Sequence, residues 1–318
     1  MIQKSIFAIA LSIITFNAFA QSSSNDYKQV DDYVKKLGSL DSMNMGTISI
    51  ILTKNFPDKI NKARAIFDWI AYNISYDCKG ARNEDITKTN SDEVLKKRMA
   101  TAFGYAALFQ DMCSVASIRC LTVDGYARKT VDDINNIPEA FNHSWDVVQL
   151  GQSPEQWYYV DPTWGSGYTD KAVKVFTRSF NDAYFFSDRA IFNKQHFPDN
   201  LAWQLGVGSK GKKDFFASPV LSNAAYEFNI TDFSPQSGYI KIKAGKSVDF
   251  TLYSNSKVPV SIVTLTIGDD KRKQTKQMNF KFADGAITFS YKFDDEDTYP
   301  ISISINGKEV LAYSMEVE

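Results

Sequence analysis

Cysteine and histidine are scarce in this chain. Three cysteines, Cys78, Cys113 and Cys120, in 318 residues cannot make a disulfide scaffold, and their odd number leaves at least one thiol unpaired or bridged to another molecule. Cys113 and Cys120 are near enough in sequence to pair, but the expectation is that all three are small buried core residues. With two histidines there is little material for a metal centre. The one dense acidic run, Asp294 to Asp297, reads as a solvated hairpin tip, so neither a metal nor another cofactor is expected. Charge of one sign is also lacking. The 36 basic and 37 acidic side chains leave a formal charge of -1, which gives no reason to expect nucleic acid or an anionic membrane as a partner.

Long apolar runs are absent beyond the first twenty residues. Within those twenty, Lys4 gives a positive start, Ile6 to Phe16 is almost wholly apolar, and Ala18-Phe19-Ala20 is a small-x-small cleavage site. That is the layout of a secretory signal peptide. The apolar run is shorter than the roughly 20 residues that span a bilayer. No cysteine follows the cleavage site to carry a lipid, so no stable membrane anchor is expected. The chain is read as exported, periplasmic or secreted, after cleavage near Ala20; removing Lys4 takes the charge from -1 to -2.

About 300 mature residues exceed what one core usually organises, and the texture of the sequence changes near Tyr226. The expectation is a signal peptide over 1–20, an α+β domain over 21–224 and an all-β domain over 225–318. In the first part, helices are predicted over Tyr27–Leu37, Lys59–Ile74, Ala102–Val115 and near Ser187–Phe192. The second is marked by Ile60, Ala63, Ile66, Phe67, Ile70 and Ala71 at three- and four-residue spacing. Thr101 is the expected N-cap of the third. Extended segments are predicted at Arg119–Lys129, His143–Leu150 and Gln156–Asp161, the last two joined through Gly151–Glu155 as a hairpin. Asp77–Asn90 reads as a loop. In the second part, seven alternating runs are separated by turn signals such as Asp284-Gly285 and Asn306-Gly307. Seven short strands in under a hundred residues indicate an immunoglobulin-like sandwich.

Three stretches carry the chemistry: Arg98-Met99-Ala100-Thr101-Ala102-Phe103-Gly104-Tyr105-Ala106, Asn142-His143-Ser144-Trp145-Asp146, and Trp157 through Asp161-Pro162-Thr163-Trp164-Gly165. In that order they resemble the transglutaminase-like superfamily, with its papain-like cysteine hydrolase fold, and its kyphoscoliosis-peptidase-like branch in particular. The segments Lys62–Ile70, Ile74–Asp77, Gly125–Ala127, His196–Pro198 and Trp203-Gln204 add to the resemblance, which covers roughly residues 45 to 210. The resemblance implies a Cys-His-Asp triad at positions 102, 143 and 161, a cleft in which Trp145 and Trp164 are candidate substrate-binding residues, and a peptide or protein ligand. Three tryptophans, Trp145, Trp157 and Trp164, are read as cleft wall or core, and His196, outside the triad frame, as structural.

The physical logic of such a site is legible in the residues. A helix N-terminus lowers the pKa of a thiol through the positive end of its dipole, and position 102 is such a terminus. His143 opens one strand and Asp161 closes the next. A turn centred near 152 brings them within a residue or two of opposite, so that the carboxylate can orient the imidazole. Ala102, however, has a methyl where the chemistry needs sulfur, and loss of a triad nucleophile costs on the order of 10⁶ in rate in a serine protease. Cys113 is three turns along the same helix, roughly 16 Å away at about 1.5 Å per residue, and Cys78 is in a loop. The expectation is a pseudoenzyme that binds through the retained cleft. The alternatives are an active cysteine peptidase or protein-glutamine acyltransferase, with Ala102 introduced or Cys78 recruited, and an adhesion protein whose first domain is a spacer. Oligomeric state is not legible.

Overall fold

The computed structural model describes residues 27–83, 90–151, 153, 156–269 and 272–318. The predicted signal peptide and parts of the Asp77–Asn90 and Gly151–Glu155 segments lie outside these residues. Among the described residues no helix is long and apolar enough to cross a membrane.

The first part runs α1 (Lys28–Leu37), α2 (Met45–Thr53), α3 (Lys59–Asn73), β1 (Ser75–Tyr76), α4 (Cys78–Arg82), α5 (Ser91–Lys97), β2 (Met99–Ala100), α6 (Ala102–Val115), β3 (Arg119–Ala127), β4 (His143–Gln149), β5 (Trp157–Val160), α7 (Pro162–Ser166), β6 (Gly167–Thr169), β7 (Phe176–Arg178), α8 (Arg189–Gln195), β8 (His196–Pro198) and α9 (Lys212–Ala217). Helix α3 starts where the Asp58 carboxylate accepts from Asn61 N at 2.8 Å, an N-cap. Its apolar positions from Ala63 to Ala71 are buried. The same helix docks α1 through Arg64, whose guanidinium reaches Asp31 at 3.0 Å and Asp68 at 2.9 Å and lies over the Tyr27 ring. Helices α2, α4 and α5 were not legible in the sequence. Each is short, and each relies on an Asn or Asp cap at Asn44, Asp77 or Asn90 rather than on a long apolar stripe.

Thr101 stands at the N-cap of α6 but makes no side-chain cap, contrary to expectation. Its side chain is buried, and its Cγ2 would lie 3.1 Å from a Cβ built on Gly80 of α4, so the residue packs between two helices instead of closing one. Among the described residues the first amides of α6 have no side-chain acceptor, at the end where the helix dipole is positive.

The sheet order β5-β4-β3-β8 is antiparallel throughout, and α6 packs against β3 and β4. A tight turn, closed by Ile118 N donating to Cys113 O at 2.9 Å, reverses the chain between α6 and β3. Eleven helical steps from 102 to 113 and five strand steps from 120 to 125 each span roughly 16 Å. The start of α6 is thereby level with Gly125, which pairs with His143.

The second part begins earlier than the texture change suggests: β9 (Val220–Leu221) already pairs with the last strand. After α10 (Ala224–Glu227) come β10 (Ile230–Ser234), β11 (Tyr239–Ile242), β12 (Lys246–Ser254), β13 (Val263–Ile267), β14 (Gln274–Gln277), β15 (Lys281–Ala283), β16 (Ala286–Phe293), β17 (Asp297–Ile305) and β18 (Lys308–Val317). They form a sheet β10-β12-β16-β15 and a sheet β11-β18-β17-β13-β14, to which β9 adds. This is a sandwich of immunoglobulin-like type over a core that includes Phe250, Leu252, Leu265, Ile287, Ile303 and Tyr313. Strand β14 escaped the sequence reading because all four of its residues are exposed, so no apolar alternation marks it. Just ahead of β9, the buried guanidinium of Arg128 donates to the carbonyls of Ser218 and Pro219 and to that of Lys194 on α8.

Candidate active site

The β4–β5 register, Asp146 opposite Val160, puts Asp161 one step beyond the end of β5 and two residues off His143. The two side chains meet: His143 Nε2 is 2.7 Å from Asp161 Oδ2, and both are buried. The other oxygen, Oδ1, accepts from Trp164 N at 2.9 Å, so Asp161 also caps α7. His196, read from the sequence as structural and outside the triad, joins them. Its Nε2 is 3.1 Å from the same Asp161 Oδ2, because β8 pairs with the end of β3, Ala127 opposite His196.

Asp161 is fully buried, and burial alone would disfavour its charged form. The charge and hydrogen bond of His143, with those of His196, outweigh this and hold the carboxyl well below the usual carboxylate range. An ionised carboxylate only accepts, so both Nε2 atoms carry protons. Burial pushes the pKa of His196 down to about 4 against the pull of Asp161. His196 is therefore a neutral Nε2–H tautomer at ordinary pH. Stacked on Phe192 with ring centroids 3.9 Å apart, it fixes the carboxylate. His143, with Nε2 committed to Asp161, has Nδ1 as its proton acceptor. An imidazole oriented by a carboxylate has the arrangement that the base of a cysteine hydrolase requires.

Position 102, where the sequence resemblance expects a nucleophile, carries a methyl. Ala102 is the first residue of α6 and is buried. All three cysteines are free. Cys113 and Cys120 lie in the core, and burial raises the Cys120 thiol well above its ordinary pKa. Cys78, half-buried as the first residue of α4, is also raised, by burial that outweighs the nearby Arg82. An activated nucleophile shifts the other way. Among the described residues no hydrogen bond joins Cys78 to His143.

Trp145 is fully buried and Trp164 nearly so. Trp145 packs on His143, His196 and Phe192, which makes it core beneath the triad rather than an open ligand surface. Trp164 packs against both His143 and His196, 5.6 and 4.5 Å from their centroids, with the Lys129 ammonium 5.8 Å from its ring. Trp157, away from the triad, packs edge-on against Trp203. His143, Asp161 and His196 offer ligand atoms within 4.8 Å of one another, a set that could hold a divalent transition metal. Here both Nε2 atoms are directed at one carboxylate oxygen in hydrogen-bond contact.

Sequence reasoning did not bring His196 or Lys129 to the site. The signal for His196 was the His196-Phe197-Pro198 match, but only the β3–β8 pairing shows what that histidine touches.

The fold and its His-Asp pair define a papain-like hydrolase scaffold. Residues 48–162 match the model of the transglutaminase-like superfamily. The chain is 31% identical over 210 residues to kyphoscoliosis peptidase of Mus musculus, covering 66% of this chain and 31% of that protein. The match to kyphoscoliosis peptidase of Homo sapiens is 29% over 222 residues, covering 70% and 33%. A solved structure from Parabacteroides distasonis overlaps 90% of this chain and 57% of that one at 12% identity and a TM-score of 0.31. The chain belongs to the transglutaminase-like superfamily, in its kyphoscoliosis-peptidase-like branch. It spans about a third of the length of the curated relatives it matches.

Proposed function

We propose that this chain is an exported, catalytically silent transglutaminase-like protein that binds peptide segments in the cleft where its relatives' branch places a cysteine. One observation carries the reading: the His143–Asp161 pair is fully assembled, at 2.7 Å and buried, on the sheet against which α6, the helix that begins with Ala102, packs. A fully buried carboxylate with two histidines braced against it is costly to maintain as packing alone. Retaining it after loss of sulfur fits a cleft whose shape is still in use. The peptide ligand is supported by the name of the relatives, which are peptidases, and export by the apolar leader followed by Ala18-Phe19-Ala20.

The test separates binding from turnover. Rhodamine-labelled peptide mixtures are titrated with the full chain by anisotropy, and the same mixtures are then examined by mass spectrometry. Saturable binding without cleavage or acyl transfer is expected. Turnover that is abolished by Cys78→Ser would overturn the reading in favour of a recruited thiol.

A further inference from the structure

Lys129 follows Arg128, and the two side chains divide the space. Arg128 is buried and held by three carbonyls, whereas Lys129 is exposed as a residue and carries its ammonium over two aromatic rings, 5.6 Å from the Tyr76 centroid and 5.8 Å from that of Trp164. Both rings border the triad. Tyr76 lies on β1, whose partner strand β2 leads into position 102, and Trp164 touches His143. Although the residue is reached by solvent, its pKa is lowered, first by desolvation and against the opposing charges of Asp161 and Asp133.

The acidic groups around it are committed elsewhere. Asp161 serves His143, His196 and Trp164 N. Asp133 accepts from the backbone amides of Lys129 and Thr130. Asp170 accepts from Lys174 N and Val175 N, and Asp132 pairs with Lys171. The Cys78 thiol, held above its ordinary pKa, supplies no anion. Among the described residues the Lys129 ammonium has neither an ion-pair nor a hydrogen-bond partner, only the two rings. A cation placed over aromatic faces is partly stabilised, yet it still gains from a carboxylate brought out of water to meet it.

Resting on the reading of the cleft as a peptide-binding site, we infer that Lys129 is its specificity determinant and that the cleft takes a peptide bearing a carboxylate, either an acidic side chain or a chain terminus, whose oxygens pair with the Lys129 ammonium while neighbouring apolar groups lie on Tyr76 and Trp164. No bond is made or broken in this step.

The full chain is titrated with three randomised, rhodamine-labelled peptide pools: glutamate-centred with an amidated end, glutamine-centred with an amidated end, and glutamine-centred with a free carboxylate. The wild type is expected to bind one acidic pool at least roughly tenfold tighter than the neutral pool, the scale of one charge-assisted hydrogen bond. Whichever acidic pool wins identifies the source of the carboxylate. Lys129→Gln is expected to erase that preference without changing the melting temperature or the affinity for the neutral pool, and Lys129→Arg to keep most of it. Equal binding of all three pools, or a preference that survives Lys129→Gln, overturns the carboxylate assignment while leaving the peptide-binding cleft standing. Failure of every pool to bind overturns both.

Discussion

On the proposed reading, replacing Ala102 by cysteine should create an acid-active thiol, because His143 and Asp161 are already paired. A free cysteine has a pKa of about 8.5, so about 3 in 10⁴ molecules are thiolate at pH 5. At residue 102 the thiol would meet the positive end of α6, whose N-cap makes no side-chain bond. It would also meet the His143 imidazole, whose Nε2 is hydrogen-bonded to Asp161. Together these bring such thiols to a pKa of about 5 or lower. Half is then thiolate at pH 5, a gain of about 1,600-fold. A weaker base is also a weaker nucleophile. With a Brønsted coefficient of about 0.45, the shift of about 3.5 units gives back about 40-fold. Ala102→Cys should therefore react with dipyridyl disulfide at pH 5 about 40 times faster than free cysteine, and His143→Asn in that background should remove the advantage. A thiol at 102 that titrates near 8.5, or a fast thiol indifferent to His143, would refute the placement of position 102 at the triad.

Three other outcomes follow from the geometry. His196 has a pKa near 4 when folded and about 6.5 unfolded, so the unfolded chain binds more protons between those values. This contribution to stability is whole above pH 6.5 and is lost as pH falls towards 4, by about 3 kcal/mol in all. Urea midpoints of wild type and His196→Gln at pH 6.5 and 4.5 should differ in slope accordingly, the variant being flatter. Gly125→Ala should cost about 1–3 kcal/mol, since a Cβ there meets Phe197 O at 2.4 Å and Trp145 Cη2 at 2.8 Å; Gly211→Ala, with nothing within 4 Å, should be near neutral by the same thermal melts. Arg64→Met leaves Asp68 buried without its cation and should cost about 3–5 kcal/mol, most of it recovered in Arg64→Met/Asp68→Leu.

What the sequence disclosed and what it hid have physical explanations. Ala102–Val115 was legible to both ends because Tyr105, Leu108, Phe109 and Met112 recur at helical spacing, and all four are buried. The His143–Asp161 contact was legible because hairpin register follows from counting. His196 was not, because β8 is three residues long and joins the sheet across a separation that no local pattern encodes. Trp145 was ambiguous between cleft and core for a related reason. Its place was decided by Phe192 and His196, both far along the chain. Lys129 looked like an ordinary strand-end lysine until Tyr76 and Trp164 were seen beneath its ammonium. The mismatch at Thr101 has the same origin, a helix contact with Gly80 displacing a local cap.

The central claim is that no sulfur in this protein is coupled to the His143 imidazole. The most direct measurement is a stopped-flow titration of the native wild-type chain with dipyridyl disulfide at pH 5, followed by peptide mapping. The account predicts no fast phase, with Cys78, Cys113 and Cys120 all modified slowly. One equivalent reacting rapidly at Cys78, and slowed by His143→Asn, would contradict it.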